Sequence, residues 1–440
     1  MGAVPPQGDR PPPGHTDDRH QNTQRLTGGT LRVRQTSRVT YLTSIAVLSL
    51  AAWGWLLLGR GFYWRTDVRL PERREPARWP PVAVVVPARD EAAVLRDSLA
   101  SLLGQDYPGY AEIFLVDDGS TDGTGDLARA LAARPPLSVR RGGLPLTVLS
   151  PGEPEPGWTG KMWAVRHGMA AARSRTPRPE YLLLTDADIV HHRDSLREMV
   201  SAARHSGLDL LSLMARLRTV TPWERLAVPA FVHFFAQLYP FRRVNRPGTR
   251  TAAAAGGCML LRDEAAERAG YPETVHDAVI DDVALARAVR DGGGRIWLGL
   301  ADRVRSVRAY PRLRDIWQMV ARSAYTQLRH NPALLALTVL GLLLVYAVPP
   351  VALVAGLAGG APVAAVAGGL AWAVMAGTYL PVLRYYGLPR KASLLLPFTA
   401  GLYLVMTVGS AVRHARGRGA AWKGRVYAPR PGTAEEGAGP

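Results

Sequence analysis

Short apolar runs, each stopped by polar turn chemistry, recur between residues 82 and 214 and alternate with stretches of helical period. The runs at 82–86, 113–116, 146–149, 181–184 and 208–214 read as strands. Residues 91–103, 126–133, 161–172 and 278–289 read as helices, closed by Gly104, Pro135-Pro136 and Gly292-Gly293-Gly294 where such punctuation falls. Alternation of this kind predicts an open α/β sheet with helices on both faces. Residues 81–308 are therefore read as one doubly wound, Rossmann-like domain, in which ligands sit outside the carboxyl ends of the strands.

Longer apolar stretches flank that domain. Residues 41–59 are apolar apart from small hydroxyls, with Trp53 and Trp55 inside and Tyr63 and Trp64 just beyond. That is close to the roughly 20 residues a bilayer demands. Residues 40–59 read as an uncleaved anchor, because a signal peptide has a shorter apolar core nearer the start. Three further spans are expected at 334–357, 363–383 and 394–412, with Pro349-Pro350 kinking the first and Gly359-Gly360 turning the chain. Residues 1–38 lack periodicity and read as disordered, as does the basic tail, 413–440. Residues 309–331 place Leu313, Ile316, Trp317, Val320 and Leu328 near one face of a helix. That helix either lies in the membrane interface or packs on the domain.

Charge sharpens the picture. The net charge of +18 comes almost entirely from arginine, and no nucleic-acid motif accompanies it. A membrane surface or a phosphorylated substrate is the better match. Arg60, Arg65, Arg69, Arg73, Arg74 and Arg78 follow the first span and place the domain on the cytoplasmic side of a bacterial-type cytoplasmic membrane. Arg25, Arg32, Arg34 and Arg38 before it weaken that bias. With four spans the loop carrying Arg384, Arg390 and Lys391 falls inside, as the bias requires. The tail with Arg413, Arg416, Arg418, Lys423 and Arg425 then falls outside, against it. An interfacial segment among the last three stretches would remove the conflict, and the side of the tail stays open. The spans hold essentially no ionisable residue, which counts against a transporter. The one cysteine, Cys258, forms no internal disulfide and reads as a core position.

The chemistry concentrates at strand ends. The run from Tyr181 stops at Asp186 and Asp188, one residue apart. Paired carboxylates repel unless something positive sits between them. A divalent metal holding a substrate diphosphate meets that need with only one or two protein carboxylates. A solvated turn capping the next helix is the alternative. Four other places share the pattern. Pro87-Ala88-Arg89-Asp90-Glu91 joins a strand to a helix start, where free N–H groups would face the crevice. Glu91 there binds a ribose hydroxyl, or Asp90 and Glu91 merely complement the helix dipole. Asp117-Asp118-Gly119-Ser120 offers carboxylates to a base or ribose. Gly157-Trp158-Thr159-Gly160-Lys161 offers one lysine to a diphosphate, without the spacing of a P-loop. Ile280-Asp281-Asp282-Val283 offers a general base, or a helix cap.

The order P-A-R-D-E, V-D-D-G-S-T-D, G-W-T-G-K, T-D-A-D, I-D-D-V-A-L resembles the family 2 inverting glycosyltransferases of the GT-A fold, over residues 81–329. The 157–163 loop, the A-G-G-C-M-L-L run from Ala255 and the A-R-S-A-Y-T-Q-L-R run from Ala321 are most similar to the hopanoid-biosynthesis-associated branch. The resemblance implies a nucleotide-sugar donor, a UDP-sugar first, and a lipid acceptor, a hopanoid first. It implies Mg²⁺ or Mn²⁺ as cofactor. Pro87, Ala88 and Glu91 would line the nucleotide pocket, and Asp117 or Asp118 would hold uracil or ribose. Lys161 and Arg322 would sit near the diphosphate. Asp186 and Asp188 would be the metal pair, with Asp188 the firmer ligand. Asp282 would be the base, with Asp281 the alternative. The sequence departs from the family where E-D is usual before the acceptor site, since it has D-D. The Q-x-x-R-W pattern of processive synthases is broken: Gln318 stands one residue too far from Arg322, and Ser323 replaces Trp. That weighs against a polysaccharide synthase. The two carboxylate pairs weigh against a non-catalytic sugar-nucleotide scaffold.

Overall fold

The computed structural model describes residues 2, 18–135, 139, 143–416, 421, 422, 425 and 426. Its centre is an eight-stranded sheet built from β1 (Val82–Ala88), β2 (Ala111–Asp117), β3 (Leu146–Leu149), β4 (Tyr181–Thr185), β5 (Ile189–His191), β6 (Leu210–Arg216), β7 (Cys258–Arg262) and β8 (Ile296–Ser306). The spatial order is β3-β2-β1-β4-β7-β6-β8-β5. Strands β3, β2, β1 and β4 run parallel. Every residue of β1, β2 and β4 is buried, as strands covered on both faces require. Alternate side chains feed two cores: Ala83 and Val85 point to one, Val84 and Val86 to the other.

The other half of the sheet departs from the expected parallel pattern. Strand β7 lies antiparallel between β4 and β6, and β5 runs antiparallel to β8. The run ending at Asp186 is thus parallel on its β1 side only. Strands β5, β7 and β8 carry no signal that the sequence reading used.

The domain helices are α2 (Ala92–Leu103), α3 (Thr124–Ala133), α4 (Gly160–Arg173), α5 (Ser195–Ser206), α6 (Pro222–Leu238), α7 (Phe241–Val244), α8 (Asp263–Arg268), α9 (Asp281–Asp291) and α10 (Leu313–Gln327). Outside the domain lie α1 (Asp18–Leu58), α11 (Pro332–Leu342), α12 (Val348–Ala358), α13 (Pro362–Tyr386) and α14 (Leu396–Ala415). Among the described residues, four stretches are long and apolar enough to cross a membrane: Ser37–Leu58, Pro332–Ala358, Pro362–Tyr386 and Arg390–Ala415. The disorder expected over 1–38 falls in part on residues 3–17, outside the described set. From Asp18 onward the backbone is helical instead. Of the tail, residues 413–415 still belong to α14, and 421–422 pair antiparallel with 425–426; the remainder lies outside the described residues.

Two local features fasten the apolar helices. Pro349 cannot donate to the carbonyl four residues back, and a π-helical turn, Leu343–Ala347, precedes it. The Val345 carbonyl accepts from the Trp53 indole at 2.7 Å instead. Gly368 lets α13 approach α12, since a Cβ there would lie 2.7 Å from the Leu353 nitrogen and the Pro349 oxygen.

One buried carboxylate ties the segment after β8 to α6. Glu224 is fully buried and accepts from the backbone N–H groups of Val220 (2.8 Å), Thr221 (2.9 Å) and Tyr310 (2.8 Å). Arg218 pairs with it at 3.1 Å. Burial favours the neutral acid, but the three N–H groups and Arg218 outweigh it and hold the carboxyl below its usual range. Glu224→Ala strands three donors. It should cost about 2–4 kcal/mol, measured as a lower unfolding midpoint in detergent. An unchanged midpoint would show that water replaces the carboxylate without loss.

Candidate active site

The carboxyl ends of β1 and β4 face a cavity of about 1250 Å³. Its floor is polar. Lys161, in the first turn of α4, extends between two carboxylates: 3.1 Å from Asp186 and 3.0 Å from Asp281. Thr159 caps α4 by accepting from the Met162 N–H at 3.3 Å, and its own N–H donates to the His276 carbonyl at 2.9 Å. The G-W-T-G-K loop is therefore clamped to the segment that leads into α9. Burial alone would lower the Lys161 ammonium, but Asp186, Asp281 and Asp282 outweigh it and hold the group well above the ordinary lysine value. Burial pushes Asp186 up; Lys161 pulls it back, while Asp188 and Asp281 add to the rise.

Asp188 is fixed by the end of β8. The Ser306 hydroxyl donates to its Oδ2 at 2.6 Å, and Arg308 Nε lies 3.3 Å from the same oxygen. Arg308 also pairs with Glu91 at 2.6 Å. One guanidinium thus joins the β1 and β4 ends. The sequence reading did not single out Ser306 or Arg308. The alternation of buried Val304 and Ser306 with exposed Arg303 and Arg305 is the signal that would have marked β8.

Asp282 is the second residue of α9 and does not cap it. Its Oδ2 accepts from the Gly256 N–H and its Oδ1 from the Val283 N–H, both at 2.8 Å. Gly256 sits so close that a Cβ would lie 3.3 Å from Asp282 Oδ2 and 3.5 Å from Lys161 Nζ. Burial, then the adjacent Asp281, raise the Asp282 carboxyl to about 6. Asp281 is spent on Lys161, so Asp282 is the better-placed proton acceptor of the two.

Of the residues singled out in the sequence, Pro87, Glu91, Lys161, Asp186, Asp188, Asp281, Asp282 and Arg322 line the one cavity. Ala88, Asp117 and Asp118 do not. Ala88 and Asp118 are fully buried, and Asp118 pairs with Arg89 at 3.3 Å. Asp117 is 8 % exposed and accepts from the Ser120 N–H at 3.1 Å. The free N–H groups expected at the start of α2 are also taken. Glu91 N–H donates to Thr124 Oγ1 at 2.8 Å and Ala92 N–H to Asp122 at 2.9 Å. Asp90, at φ +50°, accepts from the Thr121 N–H at 2.8 Å and so locks this turn to the next. These carboxylates organise two neighbouring turns. Cys258 is a core residue, with no exposure.

The donors fit a hard divalent cation. Lys161 pairs with Oδ1 of Asp186, and Ser306 and Arg308 with Oδ2 of Asp188. Each carboxylate keeps one oxygen outside those contacts. Among the described residues no three acidic, histidine or cysteine side chains converge as a closed metal cage. A two-carboxylate set completed by phosphate oxygens is what Mg²⁺ ordinarily takes.

The family model for Glycosyl transferase family 2 matches residues 83–270. An N-acetylglucosaminyltransferase of Mesorhizobium japonicum is 45% identical over 53 residues, 12% of each chain, so the match spans about an eighth of that relative's length. Among solved structures, the mannosyltransferase PcManGT from Pyrobaculum calidifontis in complex with GDP-Man and Mn²⁺ aligns at 23% identity and TM-score 0.49, covering 85% of this chain and 99% of that one. S. aureus TarS in complex with UDP aligns at 15% identity and TM-score 0.34, covering 77% and 92%. Asp281, Asp282 and Arg308 lie beyond the matched stretch, yet they complete its cavity. Lys161, Asp186 and Asp188 all lie within the stretch that matches the Glycosyl transferase family 2 model.

Proposed function

We propose that the chain is a membrane-bound inverting glycosyltransferase. It moves one sugar from a nucleotide-sugar, a UDP-sugar first, to the hydroxyl of a lipid acceptor, for which a hopanoid is the leading candidate. The catalytic domain faces the cytoplasm. The observation that carries this reading is a raised, backbone-held carboxylate, Asp282, in the same cavity as the Asp186–Lys161–Asp281 array and Asp188.

The division of labour follows from charge. Lys161 and Arg322 meet the donor diphosphate, and Arg308 fixes Glu91 and Asp188 around it. Mg²⁺ or Mn²⁺ held by Asp186 and Asp188 would neutralise charge on the departing diphosphate, where electrostatic help matters most. Asp282 takes the proton from the acceptor hydroxyl. The acceptor oxygen bonds to the anomeric carbon as the carbon–diphosphate bond breaks on the opposite face, so configuration inverts. Gly256 N–H and Val283 N–H orient Asp282 without supplying it a counter-charge.

Only ionised Asp282 accepts a proton. With its carboxyl raised to about 6, kcat/KM should climb through pH 6 and level off above it. A flat profile between pH 5 and 7.5 would remove Asp282 as the titrating group. The reading itself is tested with membranes containing the chain, labelled UDP-sugars, Mg²⁺ or Mn²⁺, and bacterial lipid extract with or without hopanoids. Label in a hopanoid-dependent lipid is expected. Label in lipid regardless of hopanoids would overturn the acceptor, and a long water-soluble product would overturn single transfer.

A further inference from the structure

The stretch Arg390–Ala415 has the length and composition of a membrane span, 26 residues of which the most apolar 18 have a mean hydropathy of 1.7. Its contacts are not those of one. A helix of that length reaches about 39 Å, enough to cross a bilayer, yet it starts three residues after a helix bonded to the catalytic domain and ends in the wall of the catalytic cavity.

At the start, the connection from α13 is short. The Tyr385 hydroxyl donates to the Ala301 carbonyl in β8 at 2.5 Å, and Arg69 and Arg216 lie 4.9 and 5.4 Å from its ring. Arg390 follows Tyr386 after three residues. Midway, the Tyr403 hydroxyl donates to the Ala227 carbonyl of α6 at 3.0 Å. At the far end, the Ser410 hydroxyl donates to the Ala321 carbonyl of α10 at 2.6 Å and accepts from the Tyr325 N–H at 3.2 Å. His414 stacks on His330 with ring centroids 4.1 Å apart. Ser410, Arg413 and His414 line the same cavity as Asp186 and Asp282.

We infer that α14 does not cross the membrane. It lies along the bilayer surface on the catalytic side, one face packed on the protein and the other on its partner, the lipid surface itself. A segment that starts three residues after a helix bonded to β8, and whose far end rests on α10 beside the catalytic cavity, has both ends on one side and cannot deliver its end to the opposite face. Its sides divide accordingly. Leu396, Ala400, Tyr403, Met406 and Ser410 are buried toward the protein, while Leu394, Phe398, Val405 and Val412 are each more than two-fifths exposed. The exposed set, at intervals of four, seven and seven, forms one apolar stripe. Such a face beds into the boundary between head groups and acyl chains.

Three crossings then remain: Ser37–Leu58, Pro332–Ala358 and Pro362–Tyr386. The tail returns to the catalytic side, and Arg413, Arg416, Arg418, Lys423 and Arg425 agree with the charge bias that four crossings violate. Arg413 of α14 has no acidic partner among the described residues, so the cavity edge here presents a cationic group to an anionic lipid surface. On the transfer reading, a lipid hydroxyl reaches Asp282 between α10 and α14 without leaving the bilayer surface. The topology itself does not depend on that reading.

The test labels single added cysteines in the full chain with a membrane-impermeant maleimide, in sealed vesicles of both orientations. Cys258 has no exposure and supplies a silent background. Asp97→Cys marks the catalytic domain, Ala358→Cys the loop between the second and third crossings, and Glu435→Cys the tail. The expected result is that 97 and 435 react from one side and 358 from the other. Reaction of 435 from the same side as 358 would overturn the inference, as would reaction of 97 and 358 from one side. Protease trimming of an epitope placed after Pro440 gives the same reading without a cysteine. Tail cleavage from the side opposite the domain would contradict it. Neither readout involves sugar transfer, so a failed transferase assay leaves this result standing, and the reverse.

Discussion

Asp282→Asn lowers turnover by roughly 10²–10⁴-fold, the usual worth of a positioned general base, while the protein inserts and folds at the wild-type level. Asparagine keeps the shape of the side chain and can still accept one of the two N–H groups, from Gly256 or Val283, that hold the carboxylate. The fold therefore loses one hydrogen bond, worth about 1 kcal/mol. Catalysis loses the only group of the pair that Lys161 does not already hold at ion-pair distance. Asp281→Asn separates the roles. It removes a partner of Lys161, so it should weaken donor binding, and it takes away one of the two causes that raise Asp282, so the pH limb should persist but move below 6. Full activity in Asp282→Asn, or loss of the pH limb only in Asp281→Asn, would transfer the base role to Asp281.

Asp188→Ala is the second large effect. Turnover should fall by about 10²-fold or more, as expected when electrostatic help to a leaving group is lost. A direct binding readout accompanies it. Calorimetry of UDP should show tighter binding by the wild-type chain with Mn²⁺ than with EDTA, by about tenfold. The variant should show no metal-dependent gain. The reason is local: Asp188 has one oxygen held by Ser306 and Arg308 and the other outside those contacts. Removing the carboxylate also releases Arg308 from half of its bridge, leaving Glu91 as its partner. Metal-dependent UDP binding that survives in Asp188→Ala would contradict the assignment of this residue as the firmer ligand. Ser306→Ala is the gentler control, since it loosens Asp188 without removing it.

The parts of the site legible in the sequence are those at strand ends. An apolar run stopped by carboxylates fixes both the strand and the position of its last residue, which is how Asp186 and Asp188 could be placed before any coordinates. Lys161, Asp281 and Asp282 were likewise visible as residues, but their convergence was not. Lys161 lies between Asp186 and Asp281 because α4 and α9 begin side by side, a tertiary fact that no local pattern encodes. Arg308 was hidden for a related reason. It stands just past β8, whose partner β6 is some eighty residues earlier in the chain.

The antiparallel β7 shows the same limit. The sequence reading assigned no strand there; its apolar residues suit one of either direction, and only pairing with β4 and β6 decides. Asp117 and Asp118 carry tertiary contacts that the local pattern does not show. Paired carboxylates at a strand end look like ligand contacts, yet Asp118 is buried against Arg89 and Asp117 braces the next turn. For α14, hydropathy cannot separate a helix that crosses from one that lies flat, because both need one lipid-facing side. The contact of Tyr385 at the end of the preceding helix, and that of His414 at the far end of α14, make that distinction.

The stereochemistry of the product tests the central claim most directly. One base, Asp282, on the acceptor side and one cationic set under the donor diphosphate imply a single displacement at the anomeric carbon. The anomeric coupling constant of the purified glycolipid, read by proton NMR against that of the donor sugar, should show the inverted configuration. A product with the donor's own configuration would contradict the account, because it would require a second displacement or a front-face route that this arrangement of Asp282, Lys161 and Asp188 does not provide.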